Sequence, residues 1–399
     1  MSDVIDTTSE DFVKDMFGDK EVRWYQRAAT NQVEQILEQE KNPRIVVVLP
    51  TGAGKTISNG AILLSERVKQ AIVGKTSKPL RVLFVAHKHR LLTQAERAYA
   101  GEAGIVTIAP NIIEHSSMCK NPKISKALVE IYYHSVFTDI PSNLVFDLVI
   151  VDEGAHEGMA TFQYHLEQLG DFPIIFLTAV PTRPDGILNK YTHFVEPLSR
   201  EQAVAEGWLA PTHIHSFVDG SEKDKVPVLT DVMINYGHQM GQTMIFVNTK
   251  KQVTEMEKVI TKLGYLATGI IDQSNKQLDQ LLDHFSEGKV QFLITCNRIS
   301  EGVDVKGCTD VVIGRQIGSY PYYSQIIGRA ARPDSDCNVW ELINPLNGNN
   351  LDTTAVVGIP ESHRLISKKK GNWVEQQFDY TSRASNKTIG IADGIRIRH

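Results

Sequence analysis

The chain has 399 residues, a formal net charge of −5, 42% hydrophobic and 22% charged residues, the composition of an ordinary globular protein. At about 150 residues per domain this length predicts two to three domains. No apolar run approaches the ~18 residues that span a membrane, and the N-terminus is polar and acidic, so neither a membrane partner nor a signal peptide is expected and the protein reads as intracellular.

The four cysteines, Cys119, Cys296, Cys308 and Cys337, form no C-x-x-C pair and have no histidine at metal-ligand spacing, which predicts reduced thiols and no zinc site. A modest negative charge does not exclude a nucleic-acid partner, since such binding needs a local basic surface only.

Residues 1–22 are a polar lead-in segment; within Met1 to Glu21, seven acids stand against Lys14 and Lys20. Arg23-Trp24-Tyr25-Gln26-Arg27 opens an amphipathic helix running to about Gln39, with Ala28, Ala29, Val33, Ile36 and Leu37 toward the core. A Gln amide both donates and accepts, as the Hoogsteen edge of adenine requires, so Gln26 is a candidate adenine reader if a phosphate site follows; alone it reads as a surface residue.

A phosphate site does follow. The apolar run Ile45 to Val48 reads as a strand, Ile57 to Val68 as a helix, and between them stands Leu49-Pro50-Thr51-Gly52-Ala53-Gly54-Lys55-Thr56. Gly52 and Gly54 let the backbone turn N–H groups toward a polyphosphate, the helix N-terminus adds positive potential, Lys55 reaches the outer phosphates, and the Thr56 hydroxyl is placed to hold Mg²⁺. The predicted ligand is a nucleoside triphosphate with magnesium.

Arg81 to Ala86 reads as a buried strand, and His87 to Arg90 opens the next helix; basic groups there suit either a nucleic-acid backbone or a solvated loop. Val129 to Val136 is a further strand. Asp147 to Val151 runs directly into Asp152-Glu153, and an apolar strand ending in paired acids is what magnesium-dependent hydrolysis needs. One carboxylate, Asp152, orients the metal, and the other, Glu153, positions or deprotonates the attacking water. The strand Ile174 to Leu177 then leads to Thr178-Ala179-Val180-Pro181.

Strands alternating with helices predict a parallel α/β sheet to about residue 205, and Gly207 to Pro211 breaks the rhythm. The second half has its own α/β pattern: strands at 213–218, 244–247, 291–295 and 311–313, and helices at 251–263 and 277–285, without a second phosphate loop. Its informative stretches are Glu301-Gly302-Val303-Asp304 and Gln325 to Arg332. If the latter is helical, Gln325, Arg329 and Arg332 share one face and are candidates to act on a γ-phosphate; an exposed helix with two arginines is the plain alternative. Glu361 to His399 carries eight basic and four acidic residues, with Lys368-Lys369-Lys370 near Trp373, Phe378 and Tyr380. That segment suits either nucleic-acid contact or packing on an acidic surface.

Taken in order, Gln26, residues 50–56, the segment after Val85, Asp152-Glu153, Leu177-Thr178-Ala179, the Phe246 strand, Glu301 to Asp304 and Gln325 to Arg332 resemble superfamily 2 helicases and translocases. The form P-T-G-x-G-K-T is frequent in that family, although Leu49 stands where the general phosphate-loop pattern has glycine. Leu177 to Gly186 and Ala205 to Pro211 look like its DNA-acting branch, which includes bacteriophage UvsW-type recombination helicases and XPB-like repair helicases.

The resemblance implies an α/β fold of two tandem RecA-like domains, each a mostly parallel sheet flanked by helices, at 23–210 and 211–360, with a basic segment at 361–399. It implies ATP and Mg²⁺ as cofactors and a nucleic-acid partner, DNA rather than RNA. ATP would lie between the two domains, contacted by Arg23, Gln26, Thr51, Gly52, Ala53, Gly54, Lys55 and Thr56 from one and by Gly302 and Asp304, near the ribose, from the other. Thr56 and Asp152 would hold the metal. Lys55, Asp152, Glu153, Gln325, Arg329 and Arg332 would carry the chemistry, and Thr178 would link nucleotide state to nucleic-acid grip. Two positions depart from the family: Asp152-Glu153-Gly154-Ala155-His156 places the histidine one residue late, and Val180 replaces a threonine. The rivals are an RNA helicase, a binding module switched by ATP, and the motor subunit of a restriction complex.

Overall fold

A computed structural model describes residues 23–86, 89–99, 105–108, 129–135, 145–152, 170–179, 191–218, 224–296, 305–315, 317, 320–332, 335–343 and 353–378. The chain divides into two compact units, Met1–Ser199 and Arg200–His399. Among the described residues no helix is long and apolar enough to cross a membrane.

The first unit carries α1 (Trp24–Gln39), β1 (Arg44–Val48), α2 (Lys55–Leu64), α3 (Glu66–Val73), β2 (Leu80–Ala86), α4 (His89–Tyr99), β3 (Ile105–Ile108), β4 (Val129–Ser135), β5 (Leu148–Asp152), β6 (Ile174–Thr178) and β7 (His193–Val195). Its seven strands run in the order β3-β4-β2-β5-β6-β1-β7, every neighbouring pair parallel. Parallel strands covered on both faces have no polar side, which is why Ile45 to Val48 and Leu148 to Val151 are continuous buried apolar runs. Their common direction brings the ends of β1, β5 and β6 to one edge, with Val48 beside Thr178 and Leu177 beside Asp152.

One predicted helix divides in two. The run from Ile57 to Val68 is broken at Ser65, whose extended backbone ends α2 and caps α3, its Oγ accepting from the Val68 N–H at 3.2 Å. The same hydroxyl donates to buried Glu34 on α1 at 2.5 Å, and Arg67 closes the group on Glu34 and Glu38. The apolar period runs on through residue 65, but this contact from α1 decides the break.

The second unit carries α5 (Arg200–Ala205), β8 (Thr212–Val218), α6 (Val226–Tyr236), β9 (Thr243–Phe246), α7 (Lys250–Lys262), β10 (Ala267–Ile270), α8 (Asn275–Ser286), β11 (Phe292–Thr295), β12 (Asp310–Ile313), α9 (Tyr320–Ile327), β13 (Cys337–Ile343), α10 (Thr353–Val357), β14 (Ser362–Lys369) and β15 (Asn372–Gln377). The strand order is β10-β11-β9-β12-β13-β8-β14-β15, parallel throughout except for the β14–β15 hairpin. Alternate strand residues feed two buried clusters, as a period of two requires. Met244, Phe246, Leu293, Val311, Ile313 and Val339 join Leu282 and Phe285 of α8 and Ile326 of α9. Ile245, Phe292, Ile294, Val312 and Trp340 join Val232 and Tyr236 of α6 and Met256 and Ile260 of α7. The sheet is thus sandwiched between helical layers, as expected of a RecA-like domain.

Two segments take forms that the sequence left open. The helix through Gln325 stops at Ile327, so Gln325, Arg329 and Arg332 do not share one helical face. Past Gly328 the regular i→i−4 ladder gives way to mixed turns: Arg329 N bonds Ile326 O at 3.1 Å, and Ala330 N and Ala331 N share Ile327 O at 3.0 and 3.1 Å. The basic segment from residue 361 is also sheet in its first half, since β14 pairs in parallel with β8 and β15 folds back on it.

Candidate functional site

At the end of β1 the chain stays tied to the sheet through the Leu49 N–H on Thr178 O (3.0 Å), then turns, with Ala53 N on Pro50 O at 3.0 Å. Gly52 and Gly54 stand at φ +92° and +82°, the left-handed region that favours glycine. Gly54 forms the N-terminal boundary of α2, and its carbonyl receives the N–H groups of Ile57 and Ser58 at 3.0 and 3.1 Å. Lys55 and Thr56 therefore form the first turn of a ten-residue helix at the strand's C-terminal edge. This glycine-opened turn with a helix start fits a polyphosphate, the group for which the sequence predicted it.

The loop is braced from α1. Arg23 Nη1 donates to Tyr25 Oη, which donates to Ala53 O, both at 2.8 Å. Gln26 is only 1% exposed; its Oε1 accepts the Arg23 N–H at 3.1 Å, and a Cβ built on Gly54 would lie 2.8 Å from its Nε2. The structure thus brings Arg23, Gln26, Ala53 and Gly54 into one braced group. Trp24, beside them, is 45% exposed.

The two expected metal holders also meet. Thr56 and Asp152 line one small pocket with Asn59, Phe84, Leu91, Ala95, Tyr99 and Leu177. A threonine hydroxyl and a carboxylate at one pocket are oxygen donors of the kind Mg²⁺ takes. Tyr99 and Asn59 were not singled out from the sequence: Tyr99 Oη donates to Thr56 O at 2.8 Å and accepts from Asn59 Nδ2 at 3.0 Å. Burial pushes the Tyr99 phenol up, so it stays protonated and able to donate. At helical spacing an aromatic reads only as core, and the sequence held no signal for its hydroxyl.

In the second unit, Gln325 on α9 is 5% exposed, while Arg329 and Arg332 are half-buried in the turn that follows. Of the basic hairpin, Lys369 and Lys370 are exposed; Lys368 pairs with Asp231 of α6 and lies 4.8 Å over the Trp373 ring. Glu153, His156, Val180, Gly302 and Asp304 lie outside the described residues, as do His87 and the chain beyond 378.

Residues 19–183 match the family described as "Type III restriction enzyme, res subunit", and residues 224–334 match "Helicase conserved C-terminal domain". A 51.5 kDa protein of a Lactococcus phage is 24% identical over 336 residues, covering 79% of this chain and 67% of that protein. The DEAD-box ATP-dependent RNA helicase CshB of Bacillus subtilis is 22% identical over 56% of this chain and 50% of its own length. Among solved structures, a fragment of a putative HsdR subunit of a type I restriction enzyme from Vibrio vulnificus aligns with a TM-score of 0.64 and 22% identity over 92% of this chain and 73% of that one. The Type ISP restriction-modification enzyme LlaBIII bound to DNA aligns with a TM-score of 0.66 and 14% identity, over 88% and 32%. The chain spans about two thirds of the phage relative and half of CshB. Two family matches in chain order, on two units built around mostly parallel sheets, the first bearing the glycine-opened turn, place the chain in superfamily 2, the helicases.

Proposed function

We propose that this protein is an ATP-dependent DNA helicase or translocase, in which ATP hydrolysis drives movement on DNA or its remodelling. The observation that carries the reading is the meeting of Thr56, from the first turn of α2, and Asp152, from the end of β5, at one pocket beside a glycine-opened turn. In this reading Thr51 to Thr56 bind the triphosphate, Lys55 neutralises its outer charge, Arg23 and Gln26 serve the adenine side, and Gly302 and Asp304 serve the ribose. Thr56 and Asp152 would hold Mg²⁺, which would supply charge neutralisation at the transferring group. Glu153 takes the proton of the attacking water, and Gln325, Arg329 and Arg332 stabilise the transferring phosphoryl group. Arginines in that role are worth about 10³- to 10⁵-fold in rate in other phosphoryl-transfer systems.

DNA is favoured by the restriction-enzyme family match and by the DNA-bound LlaBIII. An RNA substrate is the second reading, supported by the likeness to CshB. The motor subunit of a larger nucleic-acid-processing complex is compatible with either. Steady-state ATP hydrolysis measured alone and with duplex DNA, forked DNA, a four-way junction and duplex RNA tests the proposal. DNA-stimulated turnover that Glu153→Gln abolishes is expected. Stimulation by RNA alone would transfer the reading to RNA, and no turnover with any nucleic acid would overturn it.

A further inference from the structure

A buried carboxylate that the proposed chemistry does not use ties the helix of Gln325 to the sheet of the second unit. Glu341, on β13, is 2% exposed. Its Oε1 accepts from Ser216 Oγ of β8 at 2.6 Å. Its Oε2 accepts from Tyr323 Oη of α9 at 2.6 Å, and from the backbone N–H and Oγ1 of Thr353, which opens α10, at 2.9 and 2.5 Å. Because the Ser216 proton goes to Glu341, the His363 Nε2 of β14 donates to Ser216 Oγ, at 2.9 Å. One carboxylate thus gathers two strands and two helices directly and a third strand through a serine.

A buried carboxylate costs several kcal/mol of desolvation, and an apolar residue of the same size often serves stability as well or better. What the carboxylate adds is geometry, because charge-assisted hydrogen bonds are short and directional. The helix it grips needs such a constraint. α9 has eight residues, too few to hold itself, and it ends two residues after Gln325 in the turn that carries Arg329 and Arg332. Ile326 and Ile327 give it apolar burial, which is non-directional and does not by itself fix rotation or axial position.

We infer that Glu341 and Tyr323 are positioning residues that set where Gln325, Arg329 and Arg332 stand. The inference rests on the proposed role of those three side chains in phosphoryl transfer. Displacing a catalytic group by about 1 Å costs on the order of 100-fold in rate, so loosening this tether is expected to slow turnover far more than it weakens nucleotide binding, whose phosphate contacts are proposed on the first unit.

The test compares Tyr323→Phe with Ser216→Ala. Each removes one hydroxyl donor from the same carboxylate, and Ser216→Ala also takes the acceptor of His363 Nε2, so Ser216→Ala should lose at least as much stability, but only Tyr323→Phe removes a contact of α9. Thermal unfolding, nucleotide affinity by titration calorimetry, and kcat and KM for ATP are measured on the full chain, with Arg332→Ala alongside. Expected is a tenfold or larger fall in kcat for Tyr323→Phe at unchanged nucleotide affinity and a KM within twofold, while Ser216→Ala keeps kcat within twofold. Glu341→Gln, which keeps the shape and one acceptor oxygen, is expected to share the Tyr323→Phe signature and carries the test if that variant fails to fold. Equal losses of kcat in Tyr323→Phe and Ser216→Ala, or losses that follow melting temperature, would overturn positioning in favour of a structural hub. Slow Arg332→Ala with normal Tyr323→Phe and Glu341→Gln defeats this inference alone, whereas normal Arg332→Ala defeats the arginine reading beneath it.

Discussion

Replacing Gly54 by alanine tests how the phosphate loop is built. Gly54 sits at φ +82°, ψ +43°, where an L-residue pays roughly 1–2 kcal/mol for the clash of Cβ with the backbone. The new methyl would also lie 2.8 Å from Gln26 Nε2, inside van der Waals contact, so the buried amide must move. Moving it endangers the 3.1 Å bond from the Arg23 N–H, worth about 1 kcal/mol. Gly54→Ala should therefore destabilise the first unit by about 2–3 kcal/mol in urea unfolding and lower MgATP affinity with it. The two contributions are separable. Gln26→Ala removes the amide that the methyl strikes, so the double variant should be more stable than the sum of the single losses by about 1 kcal/mol, with only the backbone share remaining. Additivity to within about 0.5 kcal/mol, or a Gly54→Ala variant as stable as the parent, would refute the packing of Gln26 on the loop.

Three more perturbations follow from the same geometry. Tyr99→Phe keeps the ring but strips Thr56 O of a donor and Asn59 Nδ2 of an acceptor, so it should cost about 1–3 kcal/mol in denaturant unfolding; a loss below about 0.5 kcal/mol would remove Tyr99 as a brace of the Thr56 turn. His215 is held down at about 3, from 6.5, first by burial and then by the Arg364 charge, and Arg364 Nε donates to its Nδ1 at 2.9 Å. Since the unfolded chain takes up the proton first, this contribution is complete above pH 6.5 and is lost as pH falls from 6.5 toward 3, by up to about 1.4 kcal/mol per pH unit. His215→Phe, which keeps a ring against Trp340, should flatten that part of the stability profile, and an unchanged slope would show the histidine is not its source. Truncation after Pro360 removes β14 and β15, uncovers β8 and deletes fully buried Ile366, so it should destabilise the second unit by ~3 kcal/mol or more, visible as a lower melting temperature; an unaltered melting curve would mean the hairpin is dispensable.

The α/β rhythm, the glycine turn between β1 and α2 and the acid at the end of β5 were all legible in the chain, because each rests on a local rule. Buried parallel strands must be apolar runs, glycine alone takes positive φ without cost at residues 52 and 54, and a helix must start where Lys55 and Thr56 stand. Other features depend on partners far along the chain and needed the folded molecule. Ser65 breaks a continuous apolar period because Glu34 of another helix takes its hydroxyl. The basic segment after residue 361 becomes sheet because β8 offers it an open edge. Tyr99 reads as core until its hydroxyl is seen on Thr56, and Glu341 reads as one more polar residue of a strand until Ser216, Tyr323 and Thr353 converge on it. Periodicity reports which side of an element is buried, whereas the atom that a buried hydroxyl or carboxylate will meet is fixed only when distant segments pack together.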